Sequence, residues 1–503
     1  MHFIDDFLNK ITMYRLVLWY LIVLLALATL GSLFGLLPFN PANLVFSALL
    51  ALTVCWSTNV LFARVFAAEP NVESVYITGL ILALIITPID PTNIAGIGFL
   101  IFASVWAMAS KYIFAIGRKH IFNPAAFGVA LSALVLSKSA TWWVSGTVLL
   151  PFIIIGGLLI VRKIRREDLV ASFSLGAIAT ILATAPTSNL TTPILQTLLH
   201  SSFFFLAFVM LTEPLTMPPS RWLRVAYGGL VGLLFAPNVH LGPLYFSPEL
   251  ALLFGNVFVY FVSPKGRFIL TLTQRMKIAD GTYEFIFTPD RPLHFKPGQY
   301  LEWTLGHRFN DDRGNRRFFT IASSPTEKVV RLGVKFYAPE SSFKRALWSM
   351  RANDTVSASH IAGDFVLPKD KKKKLVFIAG GIGITPFRSI VQYLIDTKNT
   401  RPVTLLYSNK TASEVAYRNV FERAAQEIDM KTVYALTDEP TPLLGTYNGF
   451  IDGALIAREV PDYKERIFYI SGPHGMVTAF QKTLHDMGVS RFNIKTDYFP
   501  GFA

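Results

Sequence analysis

Leu375-Val376-Phe377-Ile378-Ala379-Gly380-Gly381-Ile382-Gly383-Ile384-Thr385-Pro386 is the stretch that decides how this chain is read. Five apolar residues make a strand of the kind that is buried on both faces. Glycines then break the run, and Thr385-Pro386 opens a helix, where a proline early in the first turn costs nothing. A glycine turn between a strand and a helix lets backbone approach a phosphate and aims a helix N-terminus at it. Alone such a loop says little; its strand–turn–helix setting gives it weight. The same buried strand type returns at Val403-Thr404-Leu405-Leu406-Tyr407 and Ile467-Phe468-Tyr469-Ile470-Ser471. Strands alternating with helices predict a parallel sheet, here over 369–503.

Upstream the pattern differs. Tyr283-Glu284-Phe285-Ile286-Phe287 and Arg331-Leu332-Gly333-Val334-Lys335-Phe336-Tyr337 alternate as half-buried strands do. Pro297-Gly298 marks a turn between them. A small β barrel over 264–368 is the expectation. Within it, Arg317-Phe318-Phe319-Thr320 combines a fixed, fork-shaped cation suited to a pyrophosphate, an aromatic face and a hydroxyl that can donate to a ring nitrogen. On a strand Arg317 and Phe319 share one side and Thr320 takes the other. An ordinary edge strand accounts for the same four residues equally well.

Before Ser263-Pro264-Lys265-Gly266 the chain is mostly apolar. Of 503 residues 52% are hydrophobic and 16% charged, against about 25% charged in soluble domains. Apolar runs at 14–38, 41–66, 74–88, 95–116, 124–137, 142–161, 168–185, 192–212, 223–237 and 246–263 predict about ten membrane spans. Three are short (74–88, 124–137 and 223–237). They read equally as half-spanning helices around a central site or as short helices in a tilted bundle. With the N-terminus cytoplasmic, Arg64, Lys111, Arg118, Lys119, Arg162, Lys163, Arg165, Arg166, Arg221 and Arg224 fall on the cytoplasmic side, as the positive-inside rule requires. Both termini are then cytoplasmic, in a bacterial inner membrane with lipid around the spans. The formal net charge of +14 is explained by this placement and not by nucleic-acid binding. Lys371-Lys372-Lys373-Lys374 reads as a solvated turn or as a contact with anionic lipid. Met1-His2-Phe3-Ile4-Asp5-Asp6 lacks the basic start of a signal peptide.

Cys55 is the one cysteine, so no plant-type iron–sulfur cluster is held by this chain alone. No metal site is expected. His2, His120, His200 and His240 do not pair along one helix as stacked haems need, which argues against a haem-carrying membrane half.

Over about 268–503 these motifs resemble the ferredoxin–NADP reductase superfamily. Arg317-Phe318-Phe319-Thr320 matches its flavin motif. The resemblance implies that Arg317 holds the FAD pyrophosphate, Phe319 stacks on the flavin and Thr320 bonds near N5. Val334-Lys335 matches the next flavin-contact strand, Gly363-Asp364-Phe365 the turn before the nucleotide domain, and Ser341-Ser342 opens a helix suited to the flavin phosphates. Gly380, Gly381, Gly383, Thr385 and Pro386 match the NAD(P)H loop. Ser471-Gly472-Pro473 stands where the superfamily has Cys-Gly-Pro, so Ser471 replaces the thiol beside the nicotinamide. Asp497-Tyr498-Phe499 resembles the aromatic tail that covers the flavin, with Phe499 as the cover. Asn409, Lys410 and Arg418 follow the ribose-contact strand and leave NADH against NADPH open.

Over about 14–263 the chain resembles the D subunit of Rnf-type electron-transport complexes and the B subunit of sodium-pumping NADH:quinone reductase. The matching stretches are Glu73-Ser74 with Thr78-Gly79, Phe122-Asn123-Pro124-Ala125-Ala126-Phe127-Gly128 and Thr212-Glu213-Pro214-Leu215-Thr216. The resemblance implies a membrane flavin, with Thr78 and Asn123 bordering it. The covalent-FMN motif is absent, and Ser139-Ala140-Thr141 is its nearest remnant, so a noncovalent FMN or riboflavin is what stays open. Asn123-Pro124 also reads as a plain helix cap. Glu73 and Glu213, at the edges of apolar runs, are functional candidates by their position or ordinary interfacial residues.

The expected fold is multidomain: an α-helical polytopic membrane domain (1–263), a β-barrel FAD domain (264–368) and an α/β NAD(P)-binding domain (369–503). The expected activity is NAD(P)H-dependent flavin oxidoreduction. Electrons pass through a membrane flavin to an extracytoplasmic flavoprotein or other redox subunit, or alternatively to quinone with ion pumping.

Overall fold

The computed structural model describes residues 4, 7–8, 11–66, 72–116, 119–185, 191–218, 220–236, 239–242, 244–263, 267–307, 311, 315–441 and 443–497. The chain divides into two compact units, Met1–Gly266 and Arg267–Ala503.

The first unit is helical: α1 (Met13–Leu33), α2 (Pro41–Val65), α3 (Val72–Ile85), α4 (Ile94–Ile113), α5 (Pro124–Leu136), α6 (Leu150–Ile164), α7 (Glu167–Thr184), α8 (Thr191–His200), α9 (Arg221–Phe235) and α10 (Pro248–Val262). Side chains cap several starts: Asn40 Oδ1 accepts from Ala42 N at 2.9 Å, Asn123 Oδ1 from Ala126 N at 3.1 Å and Ser247 Oγ from Leu250 N at 3.3 Å. Each cap is followed by proline, which gives up no hydrogen bond there. Small residues let helices touch. A Cβ added to Gly232 would lie 2.2 Å from Phe173 O, and one on Gly176 2.7 Å from Gly229 O, so α7 and α9 meet backbone to backbone. This is how helices associate where no water drives them together.

The ten-span expectation is not supported. Among the described residues four helices are long and apolar enough to cross a membrane: α1, α2, α4 and α7. The pair Thr191–His200 and Phe203–Met210, bent by 59°, would make a fifth if it is one span. Hydropathy counts apolar residues and does not see where a helix stops. The run 142–161 holds a 3₁₀ turn at Trp143–Ser145 before α6 starts. Helices α3, α5 and α10 have 14, 13 and 15 residues. At 1.5 Å per residue these reach roughly 20 Å, short of a hydrocarbon core of about 30 Å.

The second unit holds two six-stranded sheets. The first contains β1 (Phe268–Ala279), β2 (Thr282–Pro289), β3 (Tyr300–Thr304), β4 (Arg316–Thr320), β5 (Val330–Lys335) and β6 (Thr355–Ala362), with α11 (Ser342–Ser349) between β5 and β6. It is antiparallel, in the order β4-β3-β6-β1-β2-β5. Its outer strands are tied just past Thr320, where Ala322 N donates to Arg331 O at 2.9 Å. Phe285, Phe287, Leu301, Trp303 and Phe343 fill its core.

The second sheet holds β7 (Leu375–Gly380), β8 (Val403–Asn409), β9 (Lys431–Leu436), β10 (Thr446–Asn448), β11 (Ile467–Ser471) and β12 (Ile494–Asp497). It is parallel, in the order β10-β9-β8-β7-β11-β12. Helices α12 (Thr385–Asp396), α13 (Arg418–Ile428), α14 (Gly453–Glu459) and α15 (His474–Asp486) connect it. Separate apolar cores lie on its two faces, which is why its central strands are apolar at every position.

Candidate functional site

Strand β4 pairs with β3, setting Phe319 opposite Leu301 and Thr320 opposite Tyr300. The Phe319 ring and the Arg317 guanidinium both lean on Phe343, at 5.8 and 5.4 Å, so they share a face as the alternation predicts. Arg317 is buried, and its Nη2 lies 3.6 Å from Asp311 Oδ1. Asp311 Oδ2 in turn accepts from Ser342 N at 2.8 Å, at the start of α11. Ser342 Oγ accepts from Asp311 N and bonds His307 Nε2, each at 3.0 Å. A carboxylate thus occupies the ground between a guanidinium and a helix N-terminus, an arrangement that suits an anion. Thr320 is 3% exposed and its Oγ1 has no hydrogen-bond partner. A buried hydroxyl left unpaired costs about 1–3 kcal/mol.

The neighbouring expectations fare unevenly. Val334 is buried in the sheet's core. Lys335 Nζ bonds Glu414 Oε2 at 2.9 Å, bridging to the loop after β8. Gly363, with φ +116°, lies against the Tyr300 ring and its carbonyl accepts from Gln299 Nε2.

The glycine loop leaves the C-terminal end of β7. Gly381–Ile384 forms a 3₁₀ turn, Gly381 has φ +51°, and Thr385 and Pro386 begin α12. The Ser471-Gly472-Pro473 turn leaves the adjacent β11. The two turns touch. A Cβ on Gly383 would lie 2.5 Å from Ser471 O, and one on Gly380 2.2 Å from Met476 Sδ and 3.3 Å from Pro473 Cδ. Strand β7 has β8 on one side and β11 on the other, so this is the point where strand order reverses and where such sheets take ligands. Ser471 is 1% exposed and its Oγ has no partner. Beside it in the sheet is Asp497, whose Oδ2 is also buried and unpartnered. Burial pushes the Asp497 carboxyl up to about 7.

The two sheets meet close to both motifs. Arg388, three residues past Thr385, donates to Ala322 O at 3.0 Å and grips Glu327 with both Nη atoms. Arg331 joins Glu327 at 2.8 Å and Glu284 at 2.6 Å. Burial alone would raise the Glu327 carboxyl; the bonds from Arg388, Ser324 N and Arg331 outweigh it and hold it below the ordinary range. Gly333 on β5 lies under the Tyr417 hydroxyl and the Thr385 methyl, 2.6 and 2.9 Å from where a Cβ would stand.

In the helical unit Thr78 Oγ1 donates to Ser74 O and receives Lys111 Nζ at 3.2 Å, while Asn123 caps α5 and donates to Glu213 Oε2 at 2.8 Å. Among the described residues the two expected cofactor contacts share no hydrogen-bond partner. Glu73 is an ion-pair partner of Arg15 at 4.0 Å. Thr141, in the remnant of the covalent-flavin motif, bonds Thr87 Oγ1 at 2.9 Å. Cys55 is buried against Ser104. Lys410 is exposed, and Arg418 is paired with Glu422 at 3.0 Å. Phe499 lies outside the described residues. Sequence reasoning missed Asp311, the Arg388–Glu327 grip, and the position of Asp497 beside Ser471. Only Asp497 carried a signal, as part of the tail motif.

Residues 377–482 match the family described as Oxidoreductase NAD-binding domain. The chain is 31% identical over 200 residues to the F component of the Na(+)-translocating NADH-quinone reductase of Serratia proteamaculans (strain 568), covering 37% of this chain and 49% of that one. These matches support NAD(P)H-linked flavin electron transfer in the second unit. A flavohemoprotein of Oceanobacillus iheyensis is 24% identical over 237 residues, 45% of this chain and 57% of that one. The crystal structure of Amycolatopsis cytochrome P450 reductase GcoB superposes with a TM-score of 0.43 at 25% identity, covering 47% of this chain and 71% of that chain. The chain spans about half the length of the curated relatives it matches.

Proposed function

We propose that this chain is a membrane electron-transfer enzyme. Its second unit oxidises NAD(P)H, and its first unit carries the electrons through the bacterial inner membrane to an extracytoplasmic flavoprotein or other redox subunit. The observation that carries the reading is a pair of buried hydroxyls, Thr320 Oγ1 and Ser471 Oγ. Each lacks a protein partner, and each stands in one of two motifs joined through the Arg388 seam, in a chain that also has four helices of spanning length.

In this reading 264–368 holds FAD and 369–503 holds NAD(P)H. Bound FAD supplies hydride acceptance and one-electron release. Arg317 and the α11 N-terminus at Ser342 bind its pyrophosphate, displacing the Asp311 carboxylate. Phe319 stacks on the ring, Thr320 bonds its polar edge, and Phe499 covers its other face. The Val334-Lys335 strand and Gly363 shape the pocket wall by backbone. Gly380, Gly381, Gly383, Thr385 and Pro386 receive the dinucleotide phosphates, and Ser471, Gly472 and Pro473 orient the nicotinamide. The first unit is the counterpart of the Rnf D or sodium-pumping reductase B subunit. It holds a noncovalent FMN or riboflavin bordered by Asn123 and Thr78, with both termini cytoplasmic.

Inverted vesicles containing the full chain test this, with NADH outside and an impermeant one-electron acceptor trapped inside. Reduction that persists after quinone extraction supports the reading, and an acceptor that stays oxidised while NADH is consumed overturns it. A second reading, NAD(P)H:quinone reduction with ion pumping, is favoured by the likeness to a component of a Na(+)-translocating NADH-quinone reductase. Reduction that depends strictly on added quinone would establish it instead.

A further inference from the structure

We infer that Glu213 and His120 form a proton-exchanging pair, taking up a proton as electrons are delivered into the helical unit. This rests on the reading above that electrons enter that unit.

The local backbone is irregular for a membrane unit. After the 59° break the chain runs Phe203–Phe205, then a π-helical stretch Leu206–Met210, then turns at Thr212-Glu213-Pro214. π segments lose regular hydrogen bonds and concentrate at functional sites. Here they deliver a carboxylate into a polar nest. Glu213 Oε1 meets His120 Nε2 at 3.2 Å, and Oε2 accepts from Asn123 Nδ2 at 2.8 Å and from Thr216 Oγ1 at 3.2 Å. Asn256 Oδ1 accepts from Asn123 N at 2.8 Å, and its Nδ2 reaches Tyr227 Oη at 3.2 Å. Asn256 and Tyr227 are fully buried, while the Glu213 side chain keeps 15% of its surface exposed.

A buried ion pair is weak evidence of a stabilising role. A carboxylate facing histidine differs from one facing lysine or arginine, because the imidazole changes charge near neutral pH. The pair can hold one proton or two. One leaves it neutral overall; a second adds one positive charge. An electron moved from NAD(P)H to a carrier in this unit brings one negative charge into low dielectric, and the second proton offsets it. That proton comes from water at the exposed edge of Glu213. It forms one O–H bond on the Glu213 carboxyl and leaves again when the electron departs.

Several other titratable groups on the packed elements have partners of their own. On α9, Tyr227 bonds Asn256, and Arg224 pairs with Asp168 of α7 at 3.0 Å. On α4, Lys111 serves Ser74 and Thr78, and Tyr112 serves Asn59. On α10, Glu249 lies seven positions before Asn256 and accepts from the Trp142 indole at 3.3 Å. Helix α5 and the π segment carry no titratable side chain.

The test is redox-difference infrared spectroscopy of the full chain in lipid vesicles, reduced with NADH in H2O and D2O, alongside the trapped-acceptor assay. The expected result is a protonated-carboxyl C=O band that appears on reduction, moves in D2O, is lost in Glu213→Gln and survives in Glu249→Gln. Glu213→Asp keeps a carboxyl and displaces the band; His120→Gln also displaces it. These two carry the test if Glu213→Gln does not insert. An acceptor reduced normally with no such band, or a band unchanged in all the Glu213 and His120 variants, overturns the inference alone. FAD signals only, with the trapped acceptor left oxidised, overturn the electron-transfer reading and this inference with it.

Discussion

Asp311 and Arg317 face each other at 3.6 Å, and the same Asp311 carboxylate accepts from Ser342 N at 2.8 Å. The two donors proposed for the FAD pyrophosphate are therefore held together by a carboxylate of the chain itself. FAD must displace it, so Asp311→Asn should tighten FAD binding by about threefold to tenfold, the worth of a partly exposed ion pair. Arg317→Ala should weaken binding by at least about tenfold, because it removes a charge-assisted bond. Titration calorimetry of the flavin-stripped protein with FAD checks both; a tighter Arg317→Ala variant would reverse the assignment.

Thr320 and Ser471 predict a division of labour. Thr320→Val removes a buried hydroxyl that lacks a protein partner and keeps the side chain's shape, so FAD should stay bound. Reduction by NADH should slow on the order of 100-fold if the hydroxyl acts at the reacting edge. Ser471→Ala should slow it by roughly tenfold, the loss of one hydrogen bond, and Ser471→Cys should recover part of that. Stopped-flow absorbance of flavin bleaching separates these from a change in KM.

Gly383 is a packing requirement. A methyl there would stand 2.5 Å from Ser471 O, which is backbone and cannot rotate away. Gly383→Ala should push the two turns apart and, with the turn proposed to bind the dinucleotide phosphates away from the reacting ring, raise KM for NADH more than it lowers kcat. Steady-state kinetics with ferricyanide as acceptor reads this directly.

The Arg388–Glu327–Arg331–Glu284 chain ties the nucleotide sheet to the flavin sheet. Glu327→Gln leaves Arg388 without its carboxylate and should destabilise the second unit by about 3 kcal/mol. Because the Glu327 carboxyl is held below its ordinary range, its contribution is present above the unfolded value and is lost as pH falls through the folded one. Wild type should therefore lose stability on acidification, and the variant should lose less. Urea unfolding of the full chain at neutral and acid pH, followed by tryptophan fluorescence, checks both statements.

How much is legible follows from distance along the chain. Residues 375–386 carry their whole signal within one short stretch: an apolar strand, a glycine turn, a helix start. Arg317 and Phe319 share a face because strand alternation is also local. The grip between Arg388 and Glu327 joins residues 61 positions apart, and His120 meets Glu213 across 93. No periodicity encodes such meetings. Among the described residues ten spans is not supported, because apolar composition continues through Trp142, which has φ +52°, and through the π stretch before Glu213, where the regular helix does not. Asn123 reads as a cap and it caps α5, while its amide also donates to Glu213 Oε2.

Asp497 gives the last prediction. It sits beside Ser471 with a buried, unpartnered Oδ2, and burial holds its carboxyl up at about 7. In the unfolded chain an aspartate titrates near about 3.9. Between those values the folded state binds more protons than the unfolded one, so stability falls as pH rises through this window and the deficit persists above it. Asp497→Asn removes the ionisable group. Its Tm should exceed that of wild type at about pH 8 and converge on it toward about pH 2–3, below the unfolded value, where both states of the wild type hold the proton. Calorimetric melting across that range decides it: an offset that does not change with pH would mean that the carboxyl is not buried in the folded protein.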